Sequence, residues 1–255
     1  MRNGLRLIGV SFLALAGCQV TNKPDDLALG RTALGNQNYA ESTQRLDAYL
    51  AKNSNGPKAA EAFYLKGQAL QKSPNEDVSD AQGRWQQARL AYVDALKVGT
   101  DNPGLEGLIR ASLADVAFFQ EDYATAAEQG AAAYRYLEDA DVRAKSLYCS
   151  GLSLQRLGRF ADGDKTLNMV IKYHPGTEQA TKAKQRVGAK AFTVNVPFDS
   201  VPAARSAAAG LTKQGYTPVA MSDASVNVGP YPTFAQAKAA RSRLNPQYPR
   251  ATIMP

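Results

Sequence analysis

Beyond its opening residues the sequence contains no apolar run approaching the roughly 20 residues that a helix needs to cross a bilayer, so the remainder is expected to stand outside the membrane interior. Histidine occurs once, at His174 before Pro175, with no neighbouring cysteine or carboxylate pattern that would complete a metal site. There is no G-x-S-x-G elbow, no phosphate-binding glycine loop and no H-E-x-x-H. Carboxylates are numerous but spread as solvated helix faces require, and no pair stands out from them. Glycan cleavage by two carboxylates brought together from afar is the enzymatic alternative. The reading adopted is a protein without catalytic activity, cofactor or metal. From Asp25 to about Lys190 there is also no alternating strand pattern.

What is present begins with Arg2 and Arg6, the apolar stretch Leu7 to Ala16 broken only by Gly9 and Ser11, and then Leu15-Ala16-Gly17-Cys18. A charged start, a short apolar segment and small residues at a cut make an export signal. Leu-Ala-Gly-Cys resembles the lipobox of bacterial lipoproteins. That resemblance implies a signal peptide over 1–17, diacylglycerol on the Cys18 thiol and a lipidated tether over 18–24. Acyl chains at about 0.8 kcal/mol per buried methylene hold such a protein on a membrane without a spanning helix. By the aspartate-retention rule of some lipoproteins, the same resemblance implies that Gln19 after the cysteine, rather than Asp, directs the protein to the periplasmic face of the outer membrane. The tether Gln19 to Pro24 reaches at most roughly 20 Å. With Cys18 acylated, Cys149 is the remaining thiol, no intramolecular disulfide forms, and Cys149 reads as small apolar filler on a helix.

The formal charge of +7 falls to +5 without Arg2 and Arg6. Residues 191–255 hold six of the cations (Arg205, Lys213, Lys238, Arg241, Arg243, Arg250) against Asp199 and Asp223. A basic end in an exported protein suggests an anionic envelope polymer or surface rather than nucleic acid.

Between 25 and 190 the aromatics Tyr39, Trp85, Tyr123 and Phe160 mark a repeat, spaced by 46, 38 and 37 residues. Three residues after each stands a small or compact residue (Ser42, Ala88, Ala126, Gly163), and seven after come Leu46, Tyr92, Gly130 and Leu167. Nine before three of them stand Gly30, Ala114 and Gly151, small enough for antiparallel helices to cross closely. This register, with Pro175 closing a unit, resembles the tetratricopeptide repeat, whose period is about 34. In the second unit Gly67 precedes Trp85 by eighteen residues, and the polar stretch Lys72 to Asp80 reads as a lengthened loop between helices. Thr177 to Val187 reads as a charged helix capping the stack. The resemblance implies a helical solenoid with a concave wall for a partner protein. It carries Arg31, Leu34, Tyr64, Gln68, Asp115, Phe118, Lys145, Tyr148 and Gln155 to that wall, although each aromatic among them also has a plain reading as packing between helices.

At Ala191 the pattern changes to strand (192–196), helix (200–213), strand (216–221), strand (225–229), helix (233–244), strand (250–254). This is a split βαββαβ unit with both helices on one face. Val194, Val196, Val226 and Val228 then point to the helices, and Thr193, Asn195, Ser225 and Asn227 to the uncovered face. Val226-Asn227-Val228-Gly229-Pro230-Tyr231 followed by Phe234, Ala237 and Leu244 resembles the second half of a SPOR domain, and Asn195 stands where that family's first half has Gln. The family is one of envelope proteins that bind peptidoglycan, above all septal glycan stripped of stem peptides. Sugars offer hydroxyls to Asn and Thr, C–H faces to aromatics and carboxylates to a basic rim, which singles out Thr193, Asn195, Phe198, Asn227, Tyr231, Arg250 and Thr252. RNA-binding sheets of the same shape carry stacking aromatics on their central strands, which here hold Thr and Asn.

The expected protein is therefore mainly α, a tetratricopeptide-like helical solenoid over 25–190 followed by a small α+β domain over 191–255. With no long Pro/Ser linker between them, the two are expected to be close or touching. Its function would be to bind peptidoglycan at one end and scaffold an envelope protein with its repeats, in cell division or envelope maintenance. The alternative is a lipoprotein assembly factor for outer-membrane β-barrels.

Overall fold

The computed structural model describes residues 25–74 and 78–255, so the expected signal peptide over 1–17, Cys18 and the expected tether over 18–24 lie outside the described residues. Among the described residues nine helices come first: α1 (Asp26–Gly35), α2 (Tyr39–Asn53), α3 (Ala59–Lys72), α4 (Val78–Val98), α5 (Pro103–Phe119), α6 (Tyr123–Ala133), α7 (Ala140–Arg156), α8 (Phe160–Tyr173) and α9 (Glu178–Lys184). They pack as successive antiparallel pairs, with α9 closing the stack through Ala180 and Ala183. No helix is long and apolar enough to cross a membrane among the described residues.

Three of the repeat aromatics open the second helix of a pair, and each follows the same turn. Gln37, Glu121 and Gly158 adopt φ of 60°, 63° and 82° two residues before Tyr39, Tyr123 and Phe160. In each turn the next amide donates back to a carbonyl five residues earlier, Asn38 to Ala33, Asp122 to Ala117 and Arg159 to Leu154. Carbonyls left over at the end of the first helix are satisfied in this way. Asn38 and Asp122 then cap the following helix through their side chains. The second unit departs from the expectation. Trp85 sits within α4, which already starts at Val78, so the last three residues of the stretch read as a long loop, Val78 to Asp80, belong to a helix that runs about two turns before the tryptophan. Continuing an alanine- and glutamine-rich helix satisfies its backbone internally, whereas a loop would leave those groups to solvent.

Small residues decide how closely the pairs cross. A Cβ on Gly30 would lie 2.7 Å from Leu46, and one on Gly67 would lie 2.4 Å from the Tyr92 ring. Leu46 and Tyr92 are accordingly fully buried, and the Tyr92 hydroxyl donates to Gln71 Oε1 at 2.8 Å. Gly151 stands in the same relation to Leu167.

The last part comprises β1 (Phe192–Pro197), α10 (Val201–Lys213), β2 (Pro218–Ala220), β3 (Ser225–Tyr231), α11 (Phe234–Leu244) and β4 (Thr252–Met254). The sheet is antiparallel in the order β2-β3-β1-β4. Val194, Val196, Val226 and Val228 are buried beneath the helices with Ala204, Leu211 and Leu244. Thr233 and Gln236 form a reciprocal capping box at the start of α11. Gly229 has φ of 144°, and a Cβ there would crowd the Phe192 carbonyl at 3.1 Å and the Tyr231 ring at 3.3 Å.

The repeats and this module meet through rings. Phe160 contacts Phe192 (centroids 5.3 Å), Phe192 contacts Phe234 (5.6 Å) and Phe234 contacts Tyr123 (6.1 Å). From Tyr123 the series continues through Phe118 (5.5 Å) and Phe119 (6.2 Å) to Trp85 (5.1 Å). The Arg156 guanidinium lies 3.6 Å from the Phe234 centroid and donates to the Tyr123 hydroxyl at 3.0 Å. Lys238 of α11 pairs with Glu121 in the α5–α6 turn.

Candidate functional site

Two surfaces carry the candidate residues. The first is formed by α1, α3, α5 and α7, the leading helix of each pair, which touch in succession. Arg31 pairs with Glu61 across α1 and α3, and Asp115 with Lys145 across α5 and α7. Beside the second pair, Phe118, Phe119, Tyr148, Cys149 and Leu152 enclose an apolar cavity of about 230 Å³. Arg31, Asp115, Phe118, Lys145 and Tyr148 therefore share this side with access to solvent, as does Gln68, whose amide donates to the Tyr64 hydroxyl at 2.6 Å. Leu34 at the end of α1 is half-buried.

Two of the residues assigned to the wall do not reach it. Tyr64 is buried, with its ring tilted on Tyr92 at 6.2 Å, so it fills the space between α3 and α4. Gln155 is also buried, and its Nε2 donates to Asp164 Oδ1 and to the Arg186 carbonyl, both at 3.0 Å. Its amide thereby fastens the stack to the segment after α9. Glu61, Phe119 and Leu152 were missed. Phe119 alone had a sequence signal, as an apolar neighbour of Phe118 at the end of an amphipathic helix.

The second surface is the sheet face opposite α10 and α11. Register places Val219, Asn227, Asn195 and Thr252 in one row across all four strands, with Thr193 beside Met254 one step along. Val219 is 59% exposed and Met254 47%, so no described residue covers the ends of the row. Asn195 Nδ2 donates to Asn227 Oδ1 at 2.8 Å and to Ser225 Oγ at 2.9 Å. These bonds orient both amides, and Asn195 Oδ1 and Asn227 Nδ2 are left as an adjacent acceptor and donor with no hydrogen-bond partner among the described residues. Ser225 stands on this face as expected, accepting from Asn195, but it is buried, and its Oγ donates to Asp223 Oδ1 at 2.6 Å.

The structure separates the remaining glycan candidates from this row. Phe198 lies on the helix side, packed on the core with its ring edge-on to Tyr248 at 5.7 Å. It follows the end of β1, where the chain turns toward α10 and period-two reasoning stops applying. Tyr231 pairs with buried Phe192 and so also faces the helices, where it borders a cavity of about 430 Å³ with Tyr216 and Arg243. Burial, and then the neighbouring Tyr216, hold its phenol above the ordinary range. Arg250 is solvent-exposed just before β4 and pairs with Asp199 at 3.2 Å.

Burial above all pushes the Cys149 thiol up to about 12, so it is protonated at neutral pH. His174 ends α8 edge-on to Tyr134 at 5.9 Å, and burial followed by Arg143 lowers its pKa. Among the described residues no group of three His, Cys, Asp or Glu side chains is placed to hold a metal.

A family model described as tetratricopeptide repeat matches residues 27–75, which takes in α1, α2 and α3. Comparison with curated proteins gives no match. The helical part is thus tetratricopeptide-like, a scaffold suited to a protein partner, and no enzyme family is indicated.

Proposed function

We propose that this protein is an envelope lipoprotein, anchored to the outer membrane by acyl chains on Cys18, that binds peptidoglycan glycan strands on the open face of its sheet. Its helical repeats hold an envelope protein on the side formed by α1, α3, α5 and α7. One observation carries the glycan reading, the uncovered row in which Asn195 and Asn227 fix one another and present a free acceptor beside a free donor. Paired sugar hydroxyls, each donor and acceptor at once, match that arrangement. The lipobox-like start supports the anchor, and the reading places the protein in cell division or envelope maintenance. In the alternative role, assembly of outer-membrane β-barrels, the sheet would be incidental. The continuous ring contacts between repeats and sheet weigh against that.

The test mixes the mature protein with purified sacculi before and after amidase removal of stem peptides. Sedimentation is expected, stronger after amidase, and the double variant Asn195→Ala, Asn227→Ala should remain in the supernatant with its unfolding midpoint unchanged. Absence of sedimentation with both preparations removes the glycan claim. Chained or misdivided cells on depletion favour the division role, and loss of β-barrel proteins from the outer membrane favours the alternative. Replacement of Cys18 by Ser should release the protein from the membrane fraction.

A further inference from the structure

At the open end of the ring series lies a second cleft, which shares only Phe119 with the first surface and no residue with the sheet row. The N-terminal part of α4, the α5–α6 turn and Lys238 of α11 enclose about 700 Å³, so both parts of the chain build it. That volume is in the range of small-ligand sites. Trp85 and Phe119 contribute two rings with centroids 5.1 Å apart and planes at 36°. Phe119 is 59% exposed although it ends an apolar helix, so part of its ring is free to be covered.

Around these rings the polar groups are fixed in a chain. Arg89 Nη1 donates to Gln120 Oε1 at 3.1 Å, and Gln120 Nε2 donates to Gln86 Oε1 at 3.1 Å. Gln86 is left with Nε2 as a donor that has no hydrogen-bond partner among the described residues, and Gln82 with its whole amide. Both cations of the cleft are already neutralised, Arg89 by Asp122 and Lys238 by Glu121. Hydrogen bonds from Arg89 and Thr125 outweigh partial burial and keep the Asp122 carboxyl below its ordinary pKa, so that charge persists at neutral pH.

From this geometry we infer that the cleft binds a neutral, N-acetylated saccharide of two or three sugar units. A sugar ring has an apolar C–H face for Phe119 and Trp85 and hydroxyls at its edge for the Gln82 and Gln86 amides. An acetamido carbonyl is the strong neutral acceptor that Gln86 Nε2 lacks. Nucleotides, phosphates and acidic sugars would need an uncommitted cation, and among the described residues the cleft has none to give. A peptide with an apolar anchor is better served by the cavity of Phe118, Tyr148 and Leu152. The inference shares no residue with the glycan-binding row of the sheet.

Trp85 is the sole tryptophan in the sequence, so its fluorescence reports on this cleft without labelling. Titration of the mature protein with N,N′,N″-triacetylchitotriose should give a saturable blue shift. Maltotriose, without acetamido groups, should bind at least about tenfold more weakly, a difference near 1.4 kcal/mol. Phe119→Ala and Gln86→Ala should each weaken binding about tenfold while keeping the wild-type urea midpoint. The double variant Asn195→Ala, Asn227→Ala should titrate like wild type, which separates this cleft from the sheet. Two results would overturn the inference: no saturable change and no calorimetric heat up to about 10 mM trisaccharide, or a response that Phe119→Ala and Gln86→Ala both leave intact. A shift produced by a peptide or a nucleotide and not by the saccharide would overturn it as well.

Discussion

At Gly158 the backbone of the repeats packs against that of the C-terminal module at Pro232, and replacing it with alanine measures how firmly the two are joined. Its φ of 82° lies in the region that costs an L-residue roughly 1–2 kcal/mol. In addition, a Cβ at this position would stand 2.7 Å from the Pro232 carbonyl oxygen and 3.3 Å from Thr233 Cγ2. The first is a backbone atom at the foot of α11, so it cannot rotate away. Either the module shifts or the turn opens, at an overpacking cost of about 1–3 kcal/mol. Gly188→Ala is the matched control, since Gly188 has φ of 92° but nothing within 4 Å of its added Cβ. Urea unfolding followed by circular dichroism should show Gly188→Ala losing about 1–2 kcal/mol and Gly158→Ala about 2–5 kcal/mol. Limited proteolysis should then cut Gly158→Ala sooner in the segment between α9 and β1. Equal losses in the two variants, within about 0.5 kcal/mol, would show that the turn and the Pro232–Thr233 segment are not in fixed contact.

Gln37→Gly should stabilise the protein by about 1 kcal/mol, raising Tm by about 2–4 °C, because it relieves a left-handed residue in an exposed turn. Glu121→Gly should gain less, since it also removes the partner of Lys238; a larger gain would dismiss that pair. Burial holds the phenols of Tyr64 and Tyr92 above their ordinary value of 10. Both stay neutral in the folded state while they ionise in the unfolded one, so stability is full below about pH 10 and falls above it. Urea midpoints from pH 9 to 11 should show this decline, less steeply in Tyr92→Phe, and a flat profile would contradict the burial. With Cys18 acylated or changed to Ser, Cys149 should resist a disulfide reagent at pH 8 until the chain is unfolded. At a pKa of about 12 only about one thiol in ten thousand is ionised there, and labelling of the folded protein within seconds would count against it.

The last sixty-odd residues were almost fully legible as a string. Valine at alternate positions, glycines and prolines at turns and alanine-rich runs are local signals, and each strand and helix formed within about two residues of its expected place. The repeat marks were legible for a related reason, because Gly30 and Gly151 must be small whatever surrounds them once two helices cross there. Trp85 shows where that logic fails. An alanine- and glutamine-rich stretch can extend a helix as easily as it can precede one, and no local feature distinguishes the two.

Position along a helix told which residues could face a partner, but not how deep each would sit. Tyr64 and Gln155 were drawn inward because α4 and the segment after α9 close over them, and those neighbours are distant in the chain. The same holds for the Asn195–Asn227 pair, which becomes a fixed donor–acceptor set only when two strands thirty-two residues apart align. It holds most of all for the rings from Trp85 to Phe160. Each is an ordinary apolar residue in its own segment, and their contact across five helices and a strand exists because packing, unlike propensity, depends on what arrives from elsewhere in the chain.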